Sequence, residues 1–125
     1  MSFSATLAVQ LAAIQTRDLA AFAATLTSGE DCTLILPNGQ LIQGRDAVLD
    51  FHRVWFADPD WRLSLQPVYQ LETANTGLAL FSATYDDLDG NGQPYQLRYR
   101  LSLPFVNEAG EWRLVHDQNT LLPSE

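Results

Sequence analysis

The chain contains no lysine. All seven of its basic residues are arginine, against fifteen acidic residues in a length of 125, for a net charge of −8. Without lysine there is no amine for a Schiff base and no Walker-type phosphate-binding side chain. A phosphate-backbone binder needs a cationic face, so neither nucleic acid nor an anionic membrane surface is an expected partner. Cysteine is nearly absent as well. Cys32 stands alone, which excludes an internal disulfide and fits a reducing cytoplasm, the expected location. One cysteine and two histidines are too few for a zinc site made from those ligands alone, and no cofactor is expected. No apolar run approaches the roughly 20 residues of a membrane-spanning helix. The N-terminus shows no basic segment leading into an apolar core, so no secretion signal is read there. A nucleophile elbow, a glycine-rich phosphate loop and a dinucleotide fingerprint are missing too.

What is present fits one folded domain over residues 1–125, with 46% hydrophobic residues. Phe3, Leu7, Leu11 and Ile14 recur at helical spacing through an alanine-rich segment, and Leu19, Phe22, Ala23 and Leu26 begin a second, shorter stripe. Cys32 to Leu36 is a β-prone run stopped by the turn Pro37-Asn38-Gly39, and Leu41 and Ile42 continue extended to Gly44. A third helix fits Asp46 to Ala57, with Val48, Phe51 and Trp55 on one stripe. From Trp61 the period becomes two, predicting strands at about 61–72, 77–87, 94–106 and 111–120. Helices followed by a run of long antiparallel strands make an α+β class, with helices against one sheet face. Asp87-Leu88-Asp89-Gly90-Asn91-Gly92 resembles half of an EF-hand loop, but Arg98 stands where the bidentate carboxylate belongs. A hairpin turn explains those residues better.

The last strand carries polar groups on both faces. Strict alternation puts Trp112, Leu114, His116, Gln118 and Thr120 on one side and Arg113, Val115, Asp117 and Asn119 on the other. Asp117 and Asn119 therefore point the same way. In a pocket, a desolvated carboxyl at Asp117 would exchange protons near neutral pH. The competing reading is a structural ion pair with Arg98, Arg100 or Arg113. Tyr95, Leu97, Tyr99, Leu101, Leu103 and Phe105 form an apolar face, from which Tyr99 can offer its hydroxyl to a ligand. Trp55, Trp61, Tyr69, Phe81 and Tyr85 are core residues by default and aromatic lining otherwise. His52, flanked by Asp50 and Arg53, reads as a helix flank near solvent or a pocket rim.

The order of elements, the Leu36-Pro37-Asn38-Gly39-Gln40 turn ahead of Gly44-Arg45-Asp46, and the ending Trp112-Arg113-Leu114-Val115-His116 resemble the nuclear transport factor 2-like superfamily. The likeness is to its small bacterial members related to polyketide cyclases, ketosteroid isomerase and the association domain of calmodulin-dependent kinase. That resemblance implies a cone-shaped fold, three helices on a strongly curved, mainly antiparallel sheet of about six strands, enclosing a pocket. It also implies a homodimer formed through the sheet, with His116 on the outer, dimer-facing side. The Arg113, Val115, Asp117, Asn119 face would be the concave one. The expected function is a small-molecule-binding domain with a mainly apolar pocket and isomerase- or cyclase-type proton transfer by Asp117. Asn119, Tyr99, Trp55, His52 and Tyr85 would line that pocket. The alternative is a non-catalytic association module with a vestigial cavity, because the scaffold hosts several activities.

Overall fold

The computed structural model describes residues 1–123. Helix α1 (Phe3–Thr16) starts at Ser2, whose hydroxyl accepts from the Ala5 N–H at 3.1 Å, and ends at Arg17 in the left-handed conformation. Its buried stripe is Phe3, Leu7, Ala13 and Ile14, with Thr6 and Gln10 sharing that face. Helix α2 (Leu19–Ala23) is capped by the Asp18 side chain and stops short of Leu26. A 3₁₀ turn at Gly29–Asp31 leads into β1 (Thr33–Ile35) and β2 (Leu41–Gln43). Gly44, at φ 97°, then opens α3 (Arg45–Ala57). None of these helices is long and apolar enough to cross a membrane.

Four segments build most of the sheet: β3 (Arg62–Glu72), β4 (Thr76–Leu88), β5 (Pro94–Glu108) and the last segment, split into β6 (Glu111–Leu114) and β7 (His116–Leu121). The order across the curved mixed sheet is β2-β1-β7-β5-β4-β3, with β6 also on β5. Among the described strand pairings β1–β7 alone is parallel, and an isolated parallel bridge joins Leu26 to Leu114. Helices cover the concave face. Phe3 at the start of α1 packs on Phe105 and Trp112, with ring centroids 5.3 and 5.4 Å away, and closes the narrow end of the core.

Two bulges reset which side chains face inward. In β3, the register slips between Pro67, opposite Phe81, and Tyr69, opposite Leu80. Phe81 is core, so Tyr69 and Leu71 beyond the slip turn to the outer face and stay exposed. Tyr69 is thus no part of an aromatic lining. In the last segment Phe105 pairs with Leu114, but Ser102 pairs with Gln118. Leu103 and Pro104 therefore face three residues, Val115, His116 and Asp117. Val115 shows the irregularity directly: its N–H donates to the Pro104 carbonyl while its own carbonyl accepts from Thr33, on the opposite side. The alternation expected for 111–120 breaks there. Trp112 and Leu114 are buried on the same face as Asp117 and Asn119, whereas Arg113, His116 and Gln118 point outward. Asp117 and Asn119 face inward as expected, but their strand companions are the reverse of those expected.

Candidate functional site

A cavity of about 260 Å³ opens between the concave sheet and the helices. Ile14 of α1 lies at its back, Phe51, His52 and Trp55 of α3 form one wall, and the β1–β2 turn contributes Pro37 and Asn38. The sheet supplies Tyr85 from β4, Leu97, Tyr99 and Leu101 from β5, and Asp117 and Asn119 from β7. All six sequence-predicted site residues therefore border one space. Alternation along β5 puts Tyr99 and Leu101 inside, and the bulge at Val115 brings Asp117 to the same side.

Asp117 is the only carboxylate on that lining and is 8% exposed. Among the described residues the ion pairs are Arg53–Asp50 and Arg113–Glu111, so no arginine balances it. Arg100 binds the Ser82 hydroxyl at 3.0 Å on the outer face. The structural ion pair considered from the sequence is absent. Instead, Asn119 Nδ2 donates to Asp117 Oδ1 at 2.9 Å and to the Ile35 carbonyl at 2.8 Å. A carbonyl can only accept, which fixes the amide orientation of Asn119. Burial pushes the Asp117 carboxyl up from 3.8 to about 7, and the Asn119 hydrogen bond holds it slightly back. Tyr99 keeps its proton far above neutrality, through burial first and the nearby Asp117 charge second.

Of the two positions expected for His52, a solvent-side flank and a pocket rim, it takes a place on the cavity wall, more deeply buried than a rim. It is 3% exposed and stacks on Phe22 at 4.1 Å. Its Nδ1 donates to the Val48 carbonyl at 2.8 Å, which leaves Nε2 as an acceptor without a partner among the described residues. Burial lowers its pKa to about 4, so the ring is neutral at pH 7. The Asp50–Arg53 pair occupies the other, exposed side of α3.

The aromatic wall is braced from behind. Trp55 stacks on Trp61 at 4.2 Å, and the Arg17 guanidinium sits 3.8 Å above the Trp61 ring while donating to the Trp61 and Asp58 carbonyls. Trp55 Nε1 donates to the Tyr85 hydroxyl at 3.1 Å, and that hydroxyl donates to Asp87 Oδ2 at 2.6 Å. Trp61 and Phe81 are thus core residues, whereas Trp55 and Tyr85 border the cavity.

The loop with the EF-hand look is a turn. The Asp89 side chain accepts from the backbone of Asn91 and Gln93. Among the described residues no three His, Cys, Asp or Glu side chains gather to hold a metal. His116, on the outer face, is held by Thr33 at 2.7 Å and Gln118 at 3.0 Å. Several lining residues went unread in the sequence, among them Asn38, taken only as a turn former, and Phe51, taken only as part of a helix stripe.

Comparison with known proteins agrees with this architecture. An uncharacterized protein with a cystatin-like fold from Caulobacter vibrioides superposes at a TM-score of 0.79 and 22% identity, over 96% of this chain and 87% of that one. A ketosteroid isomerase-like protein from Erwinia carotovora atroseptica gives 0.77 at 15% identity, over 97% and 94%. The association domain of C. elegans CaMKII gives 0.67 at 20% identity, over 94% and 91%. At such identities these likenesses establish the fold. Among curated proteins no sequence matches significantly. A family model for the SnoaL-like domain matches residues 4–121. By that match, which spans nearly its whole length, the chain belongs to the SnoaL-like domain family.

Proposed function

We propose that this chain, acting as a single domain over residues 1–125, binds a small, largely apolar molecule in the cavity and exchanges a proton with it through Asp117. The observation that carries the reading is Asp117 itself: a buried carboxyl with no cationic partner, bordering an open cavity and titrating near pH 7. Perturbed groups of this kind concentrate at functional sites. The cavity volume lies just under the usual range of about 300–1,000 Å³ for ligand sites, which suits a molecule of one or two rings.

In this reading Asn119 clamps Oδ1 and leaves Oδ2 as the reacting oxygen. Oδ2 removes a proton from a carbon acid next to a carbonyl and returns it to another carbon, as an isomerase or cyclase requires. Tyr99, protonated at all physiological pH, donates to the oxyanion that develops in between. A base whose pKa matches the working pH contributes about 10²–10⁴ in rate. An association module with a vestigial cavity is the alternative, and the open 260 Å³ space supports the first reading over it.

The same reading includes a homodimer in the cytoplasm. Tyr69 and Leu71, turned out by the β3 bulge, lie beside Leu78 and Leu80 on the outer sheet face and leave an apolar patch for a second copy. A monomer at micromolar concentration by light scattering would remove that part. For the chemistry, the test is hydrogen–deuterium exchange at the α-carbons of cyclic ketones of one and two rings, followed by NMR in D₂O. The wild type should accelerate exchange with a midpoint near pH 7, and Asp117→Asn should not. Equal rates for the two proteins would end the catalytic assignment.

A further inference from the structure

The polar groups around the cavity are mostly acceptors. Asn119 directs its Nδ2 to Ile35 and Asp117, His52 directs its Nδ1 hydrogen to Val48, and Tyr85 directs its hydroxyl hydrogen to Asp87. Left without partners among the described residues are Asp117 Oδ2, Asn119 Oδ1 and His52 Nε2, all acceptors at neutral pH when Asp117 is ionised. Against them stand the Tyr99 hydroxyl and, at the rim, the Asn38 amide nitrogen. His52 is more than nine-tenths buried and still borders the cavity, so its Nε2, which is not sealed off, can accept from a donor bound there.

The charges point the same way. No arginine lines the cavity. Two on the helix side are engaged elsewhere: Arg17 lies over Trp61, and Arg45 donates to the Leu26 carbonyl at 2.9 Å. Next to the lining residue Tyr85, Tyr95 packs with its ring 6.4 Å away, and the charges of Asp58, Asp87 and Asp89 act on its hydroxyl. An anion in the cavity meets no cation among the described lining residues. A cation finds aromatic faces at Phe51, Trp55 and Tyr85, then a carboxylate.

We infer that the cavity selects a small amine in its ammonium form on an apolar body, with the N–H donors directed at Asp117 and the ring among the aromatic side chains. This rests on the reading of the cavity as a ligand site and is independent of the proton-transfer step. The ammonium supplies the counter-ion that Asp117 lacks, so binding requires ionised Asp117 and releases its proton to solvent. The other titratable and charged groups around Asp117 are Cys32 on β1, Tyr99 on β5, and His52 and Arg45 on α3. Cys32, Tyr99 and His52 each keep one charge state between pH 6 and 8, because burial lifts Cys32 to about 11, raises Tyr99 well above its usual value, and drops His52 to about 4.

Three probes with one body and three charges test this: benzylamine, benzyl alcohol and benzoate, titrated calorimetrically into the wild type at pH 8 and pH 6. At pH 8 benzylamine should bind at least about tenfold more tightly than benzyl alcohol, and benzoate should give no binding. Its affinity should fall about tenfold at pH 6, as the ionised fraction of Asp117 drops from roughly nine-tenths to one-tenth. In Asp117→Asn, shown folded by circular dichroism, benzylamine should bind no better than the alcohol. Binding of benzyl alcohol or benzoate equal to that of benzylamine overturns the inference, as does silence from all three. So does benzylamine binding that survives Asp117→Asn. The ketone exchange assay is unaffected by any of these outcomes, so the two readings fail separately.

Discussion

Replacing Asp117 with asparagine should stabilise the protein at pH 8 and leave it nearly unchanged at pH 4. The folded-state pKa of about 7 lies above the unfolded value of 3.8, so the native state holds the proton more tightly than the unfolded chain. An acid shifted in this direction costs nothing below pH 3.8. Its cost grows as the pH rises through the window and is fully present above pH 7. About three pKa units at 1.36 kcal/mol each give a penalty of about 4 kcal/mol at pH 8. Asparagine carries no charge to desolvate, and its Oδ1 can still accept from Asn119. The gain corresponds to roughly 10–20 °C in Tm for a chain of this length. Urea unfolding of both proteins at pH 4, 6 and 8 measures it, and subtracting the variant's curve removes every other titrating group. If Asp117 were held by an arginine, the sign would invert: the variant would lose stability at pH 8 and match the wild type in acid. A flat difference across the three pH values would refute the burial argument altogether.

His52→Phe should make the protein less sensitive to acid. A histidine whose folded pKa falls from 6.5 to about 4 loses stability as the pH drops between those values, here by about 3 kcal/mol, and phenylalanine removes that slope. In the wild type this loss runs against the gain from Asp117 over the same range, so the parent's own pH profile should look nearly flat in urea titrations from pH 6.5 to 4. Gly77→Ala should cost about 1–3 kcal/mol by thermal or urea unfolding. The added Cβ would stand 2.6 Å from the ring of Phe3, which is fully buried against Phe105 and Trp112 and cannot yield.

The helices and long strands were legible because their hydrophobic periods are local and unbroken. The helix expected at Asp46–Ala57 begins one residue earlier at Arg45, and the strands at 61–72, 77–87 and 94–106 shift by one or two residues. The phase of the last strand was not legible by alternation, because one extra residue at Val115 reverses every side chain after it. A signal did exist. Pro104 has no N–H, and its carbonyl bonds to Val115, so the missing donor lies on the side where the ladder breaks. A proline inside a strand flanked on both sides announces a bulge in its neighbour. Pro67 sits differently, on the edge strand β3 and beside a slip in its own strand, where the extra residue Val68 precedes the outward turn of Tyr69.

The depth of His52 was not legible for a different reason. Asp50 and Arg53 beside it suggested a wet helix flank, but neighbours along a helix point in different directions, and those two pair across its exposed side. The inner stripe is Val48, His52 and Phe56, at helical spacing through the histidine. Polar residues on an apolar stripe look alike in sequence whether they end in a core or in a cavity, so the role of His52 depended on knowing what faces α3.

The extra residue at Val115 also bears on how this scaffold changes its chemistry over time. The bulge absorbs the odd residue between Leu114 and Asp117, both of which face inward, so closing it without a deletion would slide the strand by one and bring His116 and Gln118 to the cavity in place of Asp117 and Asn119. A carboxylic acid would give way to an imidazole with no amino acid substituted. A one-residue slip of register, open to a strand whose ladder is already interrupted, thus does the work of two coordinated point mutations. Alignments of relatives that match the final strand by letter, without first locating its bulge, will pair inward positions with outward ones and assign the reacting group to the wrong residue.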